Sequence, residues 1–229
     1  MYQPMLFLHW KQIKVALIPF VIAAFGLPLV AVQGLGGSIE MTTAAAEAYR
    51  SVAAYGIWMP AYPLLAGGIG ITLALSAWNW DHQLNHVYAL SLPISRWRYA
   101  ALKMGAGAIL ALVPAAAFFA GAITATASVS IPVGLNAYPA ALSVRFLLCI
   151  LLAYAAFFAL AAGTVKTTLG VVGAITGVFV VAVILDPFLQ ESGVRLFQHL
   201  NLADWIVQQA AGRLGPFNVF TGSWMLIDV

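Results

Sequence analysis

Long apolar runs separated by short polar segments dominate the sequence. A helix needs about 20 apolar residues to cross a bilayer core, and backbone amides in lipid must bond within their own segment. The runs predict five complete spans and a short or truncated sixth. These are 15–34, 57–79, 101–127, 141–163 and 168–186, followed by a partial run at 217–229. Since the runs lack the period-two alternation of membrane strands, the expected fold class is an all-α integral membrane protein with about six transmembrane helices.

Two segments after the fifth span each have two interpretations. The run 217–229 has 13 residues, which make about 20 Å of helix and fall short of a ~30 Å hydrocarbon core. We expect a truncated sixth span there, with an interfacial end as the alternative. The segment 188–214 mixes apolar and polar residues. This mixture is typical of short helices that lie in the outer interface, although a loop covering the bundle fits it equally well.

Composition narrows the class of protein. Hydrophobic residues make up 63% of the 229 residues and charged residues only 7%, whereas soluble domains carry about 25% charged residues. The chain is therefore interpreted as one transmembrane domain, 1–229, surrounded by a lipid bilayer. Its net charge of +3 is small and scattered, which argues against a nucleic-acid partner. Lys11 and Lys14 precede an apolar run that is too long for a signal peptide, so no cleavage is expected.

The distribution of basic residues predicts the orientation. With five spans, one side carries Lys11, Lys14, Arg96, Arg98, Lys103 and Lys166, and the other carries Arg50, Arg145, Arg195 and Arg213. Basic residues concentrate in cytoplasmic loops. We therefore expect the N-terminus and the loop 80–100 to lie in the cytoplasm.

The predicted spans lack the residues that bind ions or perform catalysis. No Asp, Glu, Lys, Arg or His lies deep in the first five spans, which counts against ion-coupled carriers. The segment 163–167 lacks the glycine that precedes the lysine of a phosphate-binding loop. His82 and His86 are four residues apart, but only Asp81 is near enough in sequence to join them as a metal ligand. We expect no catalytic residue, metal or cofactor in this chain, and no enzymatic activity of its own.

Small residues recur within the spans. Gly67, Gly68 and Gly70 lie in the second span, and Gly173 and Gly177 form a small-xxx-small pair in the fifth. Such residues let helices approach closely. They are also common in membrane helices in general, so the sequence leaves both interpretations open.

The loop 80–100 carries the most informative pattern. Trp80, Leu84, Val87, Tyr88 and Ser91 fall on one face of a helix. Asp81, His82, Asn85 and Ala89 fall on the other. The pattern predicts an amphipathic helix that breaks at Pro93. Ser95 is a favoured N-cap residue, so the next helix is expected to start there.

This stretch resembles the first cytoplasmic loop of the permease subunits of ABC-2-type ATP-binding cassette transporters. The matching residues are Leu92-Pro93-Ile94-Ser95-Arg96, Lys103 at the start of the third span, and Asp81 in the acidic position. A basic amphipathic start at 6–14 matches the N-terminal elbow of that family. The chain departs from the pattern where the family often has a glycine in the loop helix, since Asn85 and His86 stand there.

The resemblance implies a mechanism and partners. In such transporters the loop helix rests in a groove of a separate cytoplasmic ATPase, which holds ATP and Mg²⁺, and a second permease copy completes the pathway. The chain would then be an exporter subunit of a bacterial cytoplasmic membrane. The residues assigned to coupling are Asp81, His82, Asn85, His86, Leu92, Pro93 and Arg96, and the first four of them would face the ATPase. Two alternatives remain: a loop helix that only lies on the membrane surface, and a non-transporting scaffold or accessory subunit of a larger complex.

Overall fold

The elements are seen in a computed structural model that describes residues 2–33, 61–83, 95–128 and 136–163, together with 166–167, 169–171, 173–174, 177, 219 and 226–228. In these residues the chain is helical apart from one pair of very short strands. The elements are α1 (Tyr2–Gln33), α2 (Ala61–Gln83), α3 (Arg96–Leu110), α4 (Leu112–Ala127), β1 (Asn136–Ala137), α5 (Pro139–Ala161) and β2 (Ile227–Asp228).

Four helical segments among the described residues are long and apolar enough to cross a membrane. They are His9–Val32, Ala61–Asn79, Arg96–Ala127 and Pro139–Ala161, and they overlap the first four predicted spans. The expectation of a helical chain with membrane-crossing segments is confirmed at this level. Most of the fifth predicted span and of the run 217–229 lies outside the described residues, as do the predicted loop helix at 84–94 and the outer segment 188–214.

Proline shapes two of these helices differently. The third segment consists of α3 and α4, which meet at Ala111, where the backbone remains right-handed helical. The interruption follows from Pro114, which has no N–H to bond the carbonyl of Leu110. In contrast, α1 continues through Pro19 and Pro28. Because α1 begins at Tyr2, the predicted elbow at 6–14 belongs to the same helix as the first span.

Aromatic side chains from three helices form the centre of the core. Phe118 of α4 stacks on Phe146 of α5, with ring centroids 4.1 Å apart and an angle of 8° between the planes. Tyr62 of α2 meets Phe118 edge-on, with centroids 5.7 Å apart. All three side chains are fully buried. Offset or edge-on ring pairs add to the free energy gained by burial.

Two glycines let neighbouring helices approach at backbone distance. A Cβ added to Gly70 of α2 would lie 2.7 Å from the carbonyl oxygen of Ile150 in α5. A Cβ added to Gly121 of α4 would collide with the backbone of Phe25 in α1. At Gly67, by contrast, an added Cβ meets no described atom within 4 Å. Close packing therefore explains particular glycines and not the whole glycine content.

The outward faces of the helices are strongly apolar. Large side chains with high exposure include Val15, Ile18, Ile22, Leu64, Leu75 and Leu148. Exposed apolar surface of this extent is unfavourable in water. In a bilayer these side chains meet lipid tails, which are as apolar as they are.

The last described residues form a strand and not a helix. Asn136 pairs with Asp228, and Ala137 with Ile227, in antiparallel register. The backbone N–H of Tyr138 also donates to the carbonyl of Leu226 (2.9 Å). At residues 227–228 the chain is thus a strand where the sequence predicted a helical run, because pairing satisfies peptide groups just before α5 that no helix would satisfy. The described part of 217–229 is limited to residues 219 and 226–228, so the sixth span stays a prediction.

Candidate functional site

The candidate site lies where the loop between α2 and α3 leaves and rejoins the helices. The last turns of α2 contribute Trp78 and Asp81, and the first turns of α3 contribute Tyr99 and Lys103. We call these four residues the loop-end cluster. They flank residues 84–94, which the structure does not describe.

An ion pair joins the two helices in this cluster. The Nζ of Lys103 lies 2.6 Å from the Oδ2 of Asp81. The hydroxyl of Tyr99 donates to the same carboxylate, 3.0 Å from Oδ1. Tyr99 and Lys103 are four residues apart, so they project from the same face of α3. One carboxylate of α2 thus accepts from two successive turns of α3.

The cluster is largely closed to solvent. The side chain of Asp81 is 2% exposed and that of Lys103 is 13% exposed. The ammonium of Lys103 also lies 4.7 Å from the ring centroid of Trp78 and 4.9 Å from that of Tyr99. A cation over an aromatic face is attracted by the negative face of the ring. Both charges therefore have partners, which a charge removed from water requires.

The position of Asp81 at the C-terminus of α2 makes the burial of its carboxylate depend further on Lys103. Asp81 lies in the last turn of α2, where the partial negative charge of the helix C-terminus disfavours a carboxylate. The ammonium of Lys103 offsets that repulsion directly. An aspartate in this position without a buried cation beside it would be costly.

Hydrogen bonds extend the cluster to α5. The hydroxyl of Tyr154 donates to the backbone carbonyl of Lys103 (3.3 Å), and the indole N–H of Trp78 donates to the carbonyl of Phe158 (3.1 Å). Gly107 permits the first of these bonds, because a Cβ there would occupy the position of the Tyr154 ring. The ends of α2, α3 and α5 are consequently linked through one set of side chains.

A second buried polar pair joins α1 to α2 at the same end. The Nε2 of His9 lies 3.0 Å from the Oγ of Ser76. Since the Ser76 hydroxyl donates to the carbonyl of Leu73 (2.9 Å), we assign it as the acceptor of a His9 N–H. Sequence reasoning missed His9, because it precedes the predicted start of the first span. One signal in the sequence points to His9: it is a polar residue three positions before Gln12. Both residues lie in α1, which begins at Tyr2.

Asp81 lies inside the bundle in this structure. The sequence predicted that its carboxylate faces a partner protein, whereas here it is buried and is held by Lys103 and Tyr99. His82 is partly buried, and Arg96 is exposed as the first residue of α3. Ser95 takes the N-cap position, as predicted, without a capping bond from its side chain. Asn85, His86, Leu92 and Pro93 lie outside the described residues.

Exposed cations lie at the start of α3 and on α1. Arg96 and Arg98 are exposed at the start of α3, on either side of Trp97, which is 74% exposed. Lys11 and Lys14 are exposed on α1. Asp81, by contrast, is turned inward and paired. The surface that the described residues present near the loop ends is therefore basic and aromatic, a combination favoured where a membrane meets the cytoplasm.

Comparison with known proteins adds no relative: the chain matches no family model, no curated protein and no solved structure.

Proposed function

We propose that this chain is the membrane-spanning permease subunit of an ABC-2-type exporter, in which a separate ATPase drives movement of the helices. The proposal rests on the resemblance of residues 80–103 to the first cytoplasmic loop of that family. The chain would lie in a bacterial cytoplasmic membrane with its N-terminus inside the cell. A second copy, or a homologous chain, would complete the pathway.

The ion pair between Asp81 and Lys103 is the observation that carries the proposal furthest. It holds the end of α2 against the start of α3, the two helices on either side of residues 84–94. A partner that presses on this loop would act on α2 and α3 together. The motif that resembles the family, 92–96, ends at the first residue of α3.

The charge of the surrounding surface supports the same orientation. Arg96 and Arg98 are exposed beside the loop, as the positive-inside rule expects of a cytoplasmic segment. A cytoplasmic ATPase would reach the loop from that side. His82, Asn85, His86 and Arg96 remain the candidates for contact with it, whereas Asp81 acts inside the bundle.

In the proposed mechanism this chain binds no nucleotide. ATP and Mg²⁺ would be held by the partner, and closure of its dimer would displace the loop. The chain's own residues transmit that displacement, because the loop-end cluster bonds α2 to α3 and α5. An exporter of this kind needs no ionisable residue deep in its spans, since the energy comes from hydrolysis and not from an ion gradient.

Copurification tests the proposal. The tagged chain is extracted from native membranes in mild detergent, and the proteins that accompany it are identified by mass spectrometry. We expect an ATPase with a nucleotide-binding motif, whose hydrolysis rate changes when the chain is reconstituted with it. Recovery of a stable complex that contains no ATPase would instead support the accessory-subunit alternative and contradict the permease proposal.

A matched pair of variants makes the test specific to the loop. Replacing Asn85 and His86 by Ala should weaken recovery of the ATPase. Replacing Asn136 by Ala alters a polar residue in β1, outside the loop, and should leave recovery unchanged. Equal recovery in both variants would remove these two loop residues from the contact surface.

A further inference from the structure

The ion pair of the loop-end cluster is not required for burying the helices against one another. Buried ion pairs often contribute no more to stability than apolar side chains of similar volume, because both charges lose their hydration. The apolar parts of Trp78 and Tyr99 already supply close packing at this point. A specific geometric role better explains why a charged pair occupies the position.

The geometry of the ion pair fixes both the distance between α2 and α3 at this point and the rotation of α3 about its axis. Asp81 accepts from Lys103 and from Tyr99, which lie one turn apart on α3. A rotation of α3 about its axis, or a slide along α2, would break at least one of these two bonds. An apolar contact at the same place would tolerate either movement, since dispersion contacts are not directional.

The cluster also lies between the loop and the rest of the bundle. Asp81 is two residues before the end of α2, and Tyr99 is three residues after the start of α3. On the other side, the hydroxyl of Tyr154 in α5 donates to the backbone carbonyl of Lys103, and the indole N–H of Trp78 donates to the carbonyl of Phe158 in α5. A displacement of the loop ends therefore has a route to α5 through these side chains.

We propose that Asp81, Tyr99 and Lys103 are positioning residues that hold the two ends of the loop 84–94 in one register and deliver their movement to α2, α3 and α5 as a unit. By register we mean the distance between α2 and α3 at the loop ends and the rotation of α3 about its axis. Asp81 acts through Lys103 and Tyr99 and not by contact with a partner protein. The register itself is a property of this chain alone. Its consequence for transport rests on the proposed function.

Spin labels on either side of the loop measure the register directly. Gln83 and Arg96 are exposed and flank the loop, so each is replaced by Cys and labelled in lipid nanodiscs. The buried Cys149 is replaced by Ala to keep labelling specific. In this background we expect a single narrow distribution of distances between the labels.

Removal of the charges should broaden that distribution without unfolding the protein. The variant D81L/K103M replaces the ion pair by apolar side chains, which is expected to preserve packing. The control variant H9L/S76A removes the other buried polar pair at this end, which does not join the loop ends. We expect broadening in the first variant and the parent distribution in the second. An unchanged width in D81L/K103M, with folding verified by its thermal transition, would overturn the proposal.

Exchanging the two charges distinguishes a role of the pair in setting the register from a role in packing alone. The variant D81K/K103D retains opposite charges, and recovery of part of the narrow distribution would support a directional role for the pair. Broadening equal to that of the apolar variant, in a protein that folds, would support a register that needs the carboxylate on α2, where it accepts from Tyr99 as well as from Lys103.

The second measurement concerns coupling and requires the ATPase. With D81L/K103M we expect the ATPase to bind as it does to the parent chain, while the change in its hydrolysis rate on reconstitution with the chain falls by about tenfold, a size typical of energetic coupling between sites. An unchanged response of the hydrolysis rate would refute the transmission role. If the chain has no ATPase partner, the proposed function fails, but the spin-label result still decides whether the pair sets the loop register.

Discussion

Gly70 of α2 lies against Tyr154 of α5 so closely that a Cβ on the glycine would stand 2.8 Å from the amide nitrogen of the tyrosine. The obstructing atoms belong to the backbone of a helix, which cannot move aside as a side chain can. Tyr154 also contacts the loop-end cluster, because its hydroxyl donates to the backbone carbonyl of Lys103. The distance between α2 and α5 at this point thus depends on residue 70 being a glycine, which has no side chain.

Replacing Gly70 by Ala should destabilise the protein by about 1–3 kcal/mol, the usual cost of overpacking a core. Thermal unfolding in nanodiscs measures the change. Gly67→Ala is the matched control in the same helix, because an added Cβ there meets no described atom within 4 Å. A decrease of similar size in both variants would mean that helix flexibility, and not contact with α5, causes the loss.

The same comparison applies between α4 and α1. Gly121→Ala places a Cβ against the backbone of Phe25, whereas Gly26→Ala adds one where no described atom lies within 4 Å. We expect the first variant to lower the thermal midpoint and the second to leave it unchanged or raise it slightly, since alanine is the better helix former. Equal midpoints would contradict the close approach of the two helices.

The ion pair predicts strong non-additivity between two substitutions. Lys103→Met alone leaves the carboxylate of Asp81 buried with Tyr99 as its remaining bonded partner, and breaking such a pair costs about 3–5 kcal/mol. Adding Asp81→Leu removes the unpaired charge, so the double variant should recover most of that loss. A double-mutant cycle in unfolding free energy measures the coupling. Additive effects would show that the two charges do not depend on each other.

Much of the helical layout follows from the sequence because it depends on one dominant quantity, the length of each apolar run. The segments Ala61–Asn79 and Pro139–Ala161 lie close to the predicted 57–79 and 141–163. Hydropathy alone does not predict helix starts. The N-cap preference of Ser95 predicts the start of α3 at Arg96, whereas Tyr2 begins α1 well before its apolar run does, because hydropathy reports contact with lipid and not the limits of backbone hydrogen bonding.

The candidate site was predicted in part. The resemblance to the ABC-2 loop singled out Asp81 and Lys103, and helical spacing assigned Asp81 to the polar face of a loop helix. Its partner lies 22 residues away, and no periodicity within one helix reports a contact between two helices. Gly70 and Gly67 likewise look equivalent in sequence, and only the position of α5 distinguishes them.

The strand pair leads to a prediction about which side of the membrane residues 226–228 occupy. Asn136 and Asp228 are Cα partners, and residue 136 falls between the third and fourth predicted spans, on the side opposite the loop 80–100. Paired residues of antiparallel strands have Cα atoms about 4.5–5.5 Å apart, within the range that a disulfide bridges. We therefore expect the variant N136C/D228C to form an intrachain disulfide in the membrane. Cys149, the only native cysteine, is buried and does not compete.

Accessibility to reagents completes the test. In intact cells a membrane-impermeant maleimide should label N136C and D228C as single variants, but should label R96C only after the membrane is opened. The pair N136C/R96C serves as the negative control for cross-linking, because its residues lie near opposite ends of the predicted third span. If residues 217–229 instead descended into the bilayer as a helix, D228C would be protected from the reagent and N136C/D228C would stay reduced. Either result would contradict the strand pair and support a sixth span.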